Sequence, residues 1–513
     1  MNITRLNRPI VCLWTARACK RYTTETKPIP EQKQVRELLV NLMDTGPSKR
    51  ELQHFLKRFG QEKTDTPTLL SGFEQVKGAP GLKSPKEYVN ALLAPSYHQL
   101  ALTKVEGPFD KMDWQSVGNT LYKLQKLGLS SIVVSDNPCW ATDKSGHGEL
   151  TKRMIRESMT LVESIEQAGG RARLIYGSAL ERSANASITI NLDFIQSALN
   201  NNQIPIVVPI LTKQDGQQVP IKSNQAILAL TQRLVNQAVD PKLVPSKIVI
   251  INKEGGIPNH ELPGTAHSLV NVQEEYDDIN KAFQQNPSWQ QNYPSTLDNL
   301  TTIRDCLNEL PTTSSAIIVP TSSLPNALIT NLVTDKPLYS SSLPRTGRVI
   351  NQAKTTVLRH GIKINSYKDL KDLDLDKLTK LLEVSFKKNV NTNEFYKRLE
   401  KVLAGAIIAG DYEGAVIMTK EGDHAYLDKF AIAPSSQGIG LTDILWKQMC
   451  DAYPELLWRS RKDNGVNKWY FERSNGYLRL KDTNWVLFWH GKDGYKNVQD
   501  YAAIANSIPP SFK

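Results

Sequence analysis

The sequence of 513 residues has no long hydrophobic run, and its five cysteines are scattered. No stretch reaches the roughly eighteen apolar residues of a membrane-spanning helix, so we expect no membrane association of that kind. Cys12 and Cys19 lie near the start, and Cys139, Cys306 and Cys450 are widely separated. This spacing forms neither a disulfide framework nor a CxxC metal motif, and it favours a reducing compartment and no metal site.

Acidic residues are absent from the first 22 residues, which contain Arg5, Arg8, Arg17, Lys20 and Arg21 among apolar side chains. An arginine-rich, acid-free, amphipathic start is typical of a mitochondrial presequence, with a disordered basic tail as the alternative. These five charges are part of a net charge of +11, so the rest of the chain carries 11 − 5 = +6. That remainder argues against a nucleic-acid partner, and we expect the mitochondrial matrix as the location.

Apolar strands alternate with amphipathic helices from about residue 93 to residue 343, which indicates a parallel α/β sheet with helices on both faces. We expect strands at 100–105, 131–135, 173–176, 204–211, 247–252 and 316–320, and helices at 117–127, 151–167, 191–200 and 224–236. A polar segment, 277–297, is interpreted as a surface excursion. We expect two short helices between residues 35 and 59.

Polar residues from Ser340 to Arg348 mark a boundary between two folded domains. The last domain is predicted to be mixed α+β, with a strand at 425–433 and a helix at 441–452. The predicted fold class is therefore α/β, a parallel-sheet domain followed by an α+β domain. The predicted organisation is a presequence (1–22), a linker with N-terminal helices (23–90), the sheet domain (91–345) and the last domain (346–513).

The segment from Ala425 to Met449 reads as a strand, a glycine turn and a helix. That geometry directs free backbone N–H groups and the positive end of the helix toward one point, which suits a pyrophosphate. Taken alone, a GxG turn has a purely conformational explanation more often than a functional one. However, Gln437, Gly438, Ile439, Gly440, Leu441 and Thr442 resemble the Q/R-x-x-G-x-G/A loop that binds acyl-CoA in GCN5-related acetyltransferases. Thr442 departs from that pattern, where Gly or Ala is usual.

Three longer segments, YLDKFAIAPSSQGIG, LWRSRKDNGVNKWYFERSNGYLR and NWVLFWHG, resemble the acetyltransferase domain of the mitochondrial N-acetylglutamate synthase family. The resemblance implies acetyl transfer from acetyl-CoA to the α-amine of L-glutamate, the first step of arginine biosynthesis. It implies Lys429, Arg461 and Asn464 as first-choice glutamate ligands, Arg459 as second choice and Tyr470 as the acid that protonates the leaving thiolate. The alternatives are ordinary surface pairs for the arginines and core packing for Tyr470. No general base stands out.

The stretch from Phe194 to Leu230 resembles the acetylglutamate kinase branch of the amino-acid kinase fold. Kinase chemistry requires glycine-rich backbone around phosphates, whereas Glu106 follows the first strand and the second ends in Ser135-Asp136-Asn137-Pro138. We therefore predict that phosphoryl transfer is lost.

The segment LLVNLMDTGPSKRELQHFLKRF resembles the N-terminal helix of arginine-sensitive acetylglutamate kinases, which implies L-arginine as an inhibitory effector. The alternative is a kinase-like domain that only scaffolds a homo-oligomer. The resemblance also leaves room for a complex with acetylglutamate kinase.

Two other functions stay open at this point. One is a noncatalytic regulatory or assembly subunit of an arginine-pathway complex. The other is an acetyltransferase for protein lysines or for another amino acid.

Overall fold

The computed structural model of this chain describes residues 99–182, 187–236, 243–259, 264–338, 354–437 and 440–512. The predicted presequence, the predicted N-terminal helices and the predicted boundary at 345/346 lie outside these ranges. In the described ranges, no helix is both long enough and apolar enough to cross a bilayer.

An eight-stranded sheet organises the first part of the chain, in the order β10-β12-β11-β9-β1-β2-β6-β3. Its central strands run parallel, and β11 and β12 pair antiparallel. The strands are β1 (Gln99–Glu106), β2 (Leu129–Asp136), β3 (Ala172–Ile175), β6 (Ile204–Val207), β9 (Pro245–Asn252), β10 (Leu269–Asn271), β11 (Ser315–Pro320) and β12 (Thr356–Arg359). A small sheet in the order β5-β4-β7-β8 lies beside it: β4 (Leu180–Arg182), β5 (Ile188–Ile190), β7 (Ile210–Thr212) and β8 (Gln218–Pro220).

Helices connect the strands of this sheet: α1 (Lys111–Lys126), α2 (His147–Gln167), α3 (Asp193–Asn200), α4 (Ser223–Asn236), α5 (Val272–Gln285), α6 (Pro287–Asn292), α7 (Thr296–Glu309) and α8 (Asn326–Thr334). The β-branched strand residues and the apolar stripes of α4, α5 and α7 form one buried core. The stretch 277–297, interpreted as a surface excursion, is mostly helical and mostly exposed, and Ile279, Ala282 and Phe283 of α5 are its buried residues near the start. Trp289 of α6 packs edge-on against the buried Phe283, with 5.2 Å between ring centroids.

A seven-stranded sheet organises the second part, in the order β13-β14-β15-β16-β17-β19-β18. Its strands are β13 (Ile364–Tyr367), β14 (Leu403–Ala409), β15 (Gly414–Glu421), β16 (His424–Ile432), β17 (Leu456–Arg461), β18 (Gly476–Arg479) and β19 (Trp485–His490). The helices are α9 (Leu375–Phe386), α10 (Thr392–Val402), α11 (Leu441–Ala452), α12 (Asn467–Arg473) and α13 (Val498–Ser507).

Three buried clusters show which helices cover which face of the seven-stranded sheet. The first joins Val416, Met418 and Trp458 to α11, and α12 packs against it through Trp469 and Tyr470. On the opposite face, α9 and α10 cover β14 and β15, and α13 covers β17 and β19. The predicted fold class, a parallel-rich α/β sheet followed by a mixed α+β domain, is confirmed. Although β12 follows residue 346 in the chain, it belongs to the first sheet.

Candidate active site

A gap between two parallel strands marks the centre of the seven-stranded sheet. β16 and β17 pair only at Ala425 with Leu456 and at Tyr426 with Leu457. β16 continues to Ile432 along β15, and β17 continues to Arg461 along β19. Beyond the two paired positions, the facing edges of β16 and β17 therefore separate. Such edges present backbone donors and acceptors that an extended, amide-containing ligand can use.

The chain leaves β16 through a short 3-10 turn, Pro434–Ser436, and enters α11 at Gly440. The Gln437 side chain donates to the Ile432 carbonyl at 3.4 Å, which ties the loop to the strand end. Gly440 is the N-cap and has φ +81°, a left-handed conformation that favours glycine. The Asp443 amide donates to the Gly440 carbonyl at 3.1 Å, whereas the amides of Leu441 and Thr442 at the start of α11 have no intrahelical acceptor and form a site of positive potential for an anion.

Leu441 and Thr442 begin α11, and their burial shows different roles. Leu441 is buried in the core and anchors the helix to the sheet, whereas Thr442 is partly exposed beside the loop. The predicted coenzyme residues Gly438 and Ile439 lie outside the described residues. The position of the described part of the loop agrees with a strand–turn–helix phosphate site.

Tyr470, the predicted acid, lies on α12 and packs against an aromatic cluster. Its ring centroid is 5.4 Å from that of Trp458 and 5.6 Å from that of Phe488. Burial raises the pKa of its hydroxyl, and the nearby Tyr426 acts in the same direction. The phenol thus stays protonated at physiological pH and is available as a proton or hydrogen-bond donor.

Lys429 lies just after a β-bulge in β16, where the pairing with β15 shifts around Asp428. Its ammonium contacts the Asp428 carboxylate, donates to Ser511 Oγ at 3.0 Å and lies 4.9 Å from the centroid of the Phe395 ring. Burial and then the positive charges of Arg398 and Arg459 lower the pKa of Lys429. The contact with the Asp428 carboxylate is an interaction that favours the charged form of a lysine.

Arg459 of β17 is engaged by the C-terminal helix. Its guanidinium donates to the carbonyl of Ala505 and to that of Ile508, the latter at 2.6 Å, and stacks 4.2 Å from the centroid of Trp485. These carbonyls belong to the last turn and the cap of α13, where helical acceptors lack partners. In this structure the contacts of Arg459 therefore anchor α13 to the sheet.

Arg461 and Asn464 lie at the far end of β17. The Arg461 side chain is half-exposed, with Nε 3.6 Å from Asp463 Oδ1. Asn464 donates to Ser460 Oγ at 2.9 Å, and its side-chain oxygen accepts from the Val466 amide at 3.1 Å. Asn464 thereby shapes the turn that leads into α12.

The structure brings the predicted ligands together in two groups. Lys429 and Arg459 both contact the C-terminal segment, whereas Arg461 and Asn464 flank the turn after β17. Tyr470 lies on the sheet face that α11 and α12 cover, and Lys429 packs against α10 on the other face.

Two charged pairs near these residues were not predicted from the sequence. Arg398 of α10 contacts the buried Asp428 carboxylate and pairs with Glu421 at 2.8 Å. Arg473 and Asp443, both buried, approach to 3.4 Å and join α12 to the first turn of α11. Phe395 and Arg398 are three residues apart and therefore lie on one face of α10. This spacing is the sequence signal for the pair of Arg398 with Asp428. No comparable signal exists for the second.

The first sheet carries a separate buried charge cluster at the carboxyl end of β1. Lys104 Nζ lies 3.1 Å from Glu106 Oε2, 2.8 Å from Asp136 Oδ2 and 2.8 Å from Asn299 Oδ1. Burial acts to lower the pKa of Lys104, but Asp136 and Glu106 outweigh it and raise the pKa. Two carboxylates thus surround this lysine. Among the described residues, no group of three or more His, Cys, Asp or Glu side chains could hold a metal ion.

A strand gap followed by a glycine-capped helix suits a coenzyme-dependent transferase, and similarity to known families assigns this class. Residues 365–508 match the family model described as NAT, the N-acetyltransferase of N-acetylglutamate synthase. The second sheet is thus an N-acetyltransferase domain.

Similarity also extends over nearly the whole chain. The mitochondrial amino-acid acetyltransferase of Laccaria bicolor is 35% identical, over 89% of this chain and 91% of its own length. The protein with the same description from Coprinopsis cinerea is 33% identical, over 93% of this chain and 88% of its own. The chain belongs to the mitochondrial amino-acid acetyltransferase family.

Among solved structures, N-acetylglutamate synthase from Neisseria gonorrhoeae, complexed with coenzyme A and N-acetyl-glutamate, matches with 11% identity and a TM-score of 0.46. The match covers 77% of this chain and 95% of that one.

Proposed function

We propose that this amino-acid acetyltransferase transfers acetyl from acetyl-CoA to the α-amine of L-glutamate, in the mitochondrial matrix. The observation that carries the proposal is that β16, one edge of the strand gap, is followed in the chain by a short turn and by the glycine-capped N-terminus of α11. The gap supplies backbone groups for the pantetheine arm, and the first turn of α11 supplies amides for the diphosphate. Cationic side chains around the gap suit an acceptor with two carboxylates.

The chemistry requires a neutral amine, a polarised thioester carbonyl and a proton for the departing thiolate. Tyr470 remains protonated at physiological pH and is the proposed donor of that proton. Unpaired amides of β16 are the proposed donors to the thioester oxygen. Positioning of the two substrates in one gap supplies a further part of the rate.

To test the proposal, purified protein is incubated with labelled acetyl-CoA and one amino acid at a time, in parallel reactions. We expect labelled product with L-glutamate, and much less with aspartate, glutamine or a lysine-containing peptide. Label on the lysine peptide would support the protein-acetylating alternative. Absence of label on every acceptor, with the coenzyme bound, would support a noncatalytic assembly subunit.

Lys429 is proposed to bind a glutamate carboxylate. Its side-chain nitrogen lies beside Asp428 on the sheet face that α10 covers, and replacing Lys429 by methionine removes the amine while keeping the length of the side chain. We expect KM for glutamate to rise by about tenfold, with KM for acetyl-CoA unchanged. The matched control is Lys462→Met, since Lys462 lies on the turn after β17 and its ammonium reaches the Thr483 carbonyl. Equal glutamate KM values in both variants would contradict the assignment.

The first sheet is proposed to have lost phosphoryl transfer while keeping the kinase-like fold. The two negative charges of Glu106 and Asp136 exceed the single positive charge of Lys104. A polyphosphate that approaches this end of β1 therefore meets net negative charge. Incubation with ATP, magnesium and N-acetylglutamate should release ADP no faster than protein-free buffer. The prediction is wrong if ADP release is stoichiometric with a phosphorylated product.

L-arginine is proposed as an inhibitory effector, on the sequence resemblance of the N-terminal segment alone. A homo-oligomer and an association with acetylglutamate kinase are proposed on the same basis. Acetylation rates measured over a range of arginine concentrations test the effector. Rates that stay flat would leave the kinase-like domain as a scaffold.

A further inference from the structure

A row of buried polar side chains crosses the first sheet, and one of its members, Arg359, lies beside the N-cap of α11. Lys247 of β9 pairs in register with Ser315 of β11, which pairs with Arg359 of β12, which pairs with Asn271 of β10. Residues in direct register lie on the same face of a sheet, so these four side chains form a line. The row lies at the opposite end of β9 from the Lys104 cluster.

Asp335, at the end of α8, connects the cations of this row. Its carboxylate accepts from Lys247 Nζ at 2.6 Å and pairs with Arg359 Nη2 at 2.6 Å. Two cations therefore share this carboxylate. Arg359 is only 4% exposed, and its Nε and Nη1 have no hydrogen-bond partner in the described part of the chain.

Arg359 lies directly against the cap of α11, although it belongs to the other sheet. A Cβ on Gly440 would come within 3.3 Å of Arg359 Nε. The unpaired donors of a buried guanidinium are thus beside the helix N-terminus that the proposed function assigns to the coenzyme diphosphate. Leaving such donors unpaired is costly, and an anion placed there would relieve that cost through charge-assisted hydrogen bonds.

We propose that Arg359 is a ligand for the diphosphate of the acyl coenzyme, supplied by the kinase-like sheet to the acetyltransferase loop. This inference rests on the proposed use of acetyl-CoA and adds a residue outside the acetyltransferase domain. Asp335 and Lys247 hold the guanidinium in position from the first sheet. Coenzyme affinity therefore depends on how the first sheet presents Arg359 to α11.

The experiment compares two acetyl donors with and without the diphosphate. Acetyl-CoA carries it, and acetyl-pantetheine has the same thioester without it. In Arg359→Ala, kcat/KM for acetyl-CoA should fall at least tenfold, while kcat/KM for acetyl-pantetheine stays within about twofold of the unmodified protein. Arg359→Lys keeps a positive charge but not the planar guanidinium group. It should give an intermediate loss of kcat/KM for acetyl-CoA.

A purely structural role would give a different result. If Arg359 only stabilises Asp335, both donors should lose the same factor, and that outcome overturns the proposal. The matched control is Lys447→Ala, because Lys447 is a cation of α11 that also reaches the first part of the chain, where it contacts Glu275 of α5. This control should leave the ratio of the two donors unchanged. Thermal midpoints identify any variant that fails to fold, in which case Arg359→Lys decides the question.

Calorimetry separates failure of this inference from failure of the proposed function, because it needs no turnover. Free coenzyme A and pantetheine are titrated into unmodified protein and into the Arg359 variants. If unmodified protein binds no coenzyme A, the proposed function fails. If it binds coenzyme A and the Arg359→Ala protein binds it equally well, only the role of Arg359 is overturned.

Discussion

Tyr470→Phe is expected to lower kcat by roughly 100-fold, because it removes the proposed proton donor to the leaving thiolate. KM for glutamate should change little, since the ring and its packing against Trp458 and Phe488 are kept. The matched control is Tyr477→Phe, which removes the hydroxyl of a tyrosine on β18 that is 52% exposed. If both variants keep full kcat, Tyr470 serves only in packing.

The pH dependence of the same reaction follows from the direction in which the pKa of Tyr470 is shifted. Burial raises the pKa of the hydroxyl above its ordinary value near ~10, so the phenol loses its proton only at still higher pH. We therefore expect no alkaline decline of kcat from this group up to about pH 9, where an unshifted tyrosine is still mostly protonated. A decline near neutral pH that disappears in Tyr470→Phe would contradict the raised pKa of Tyr470.

Gly440→Val is expected to raise KM for acetyl-CoA at least tenfold, with kcat at saturation reduced less. Valine in the left-handed region at φ +81° is strained by about 1–2 kcal/mol or more, and its Cβ would press on Arg359 Nε at 3.3 Å. The cap would have to shift, and with it the amides of the first turn of α11 that are proposed to hold the diphosphate.

Gly422→Val provides the control for backbone strain. Gly422 has φ +64° in the turn between β15 and β16, and a Cβ there would meet no atom within 4 Å. Both variants thus carry a similar conformational cost, but only one lies at the proposed coenzyme site. An equal rise in KM for acetyl-CoA in the two variants would remove the loop from the binding site.

Local sequence signals predicted much of the fold correctly. The predicted helix at 441–452 has the observed limits of α11, and the predicted strand at 247–252 lies within β9. These segments have regular apolar spacing and a glycine or proline nearby. Both the buried face and an end of each element can therefore be predicted from the local sequence. The helices α5 and α6 were missed because polar and charged residues make up most of their sequence, and the contact of Trp289 with Phe283 that joins them is not visible in it.

The candidate site was less predictable, because its contacts join residues that are far apart in sequence. Arg459 was expected as a second-choice glutamate ligand. In the structure its guanidinium donates hydrogen bonds to the carbonyls of Ala505 and Ile508. No local pattern around Arg459 indicates that α13 returns to this strand. The proximity of Arg359 to Gly440 is likewise set by the packing of two sheets. Roles for Lys429, Arg461, Asn464 and Tyr470 remain predictions.

Hydrogen–deuterium exchange with and without coenzyme A tests most directly whether the strand gap and α11 form the coenzyme site. We predict slower exchange on binding at the second half of β16, from Leu427 to Ile432, and at the first turn of α11. Amides around Lys104 in the first sheet should be unaffected. Protection confined to the first sheet, or none in β16 and α11 at saturating coenzyme, would contradict the account.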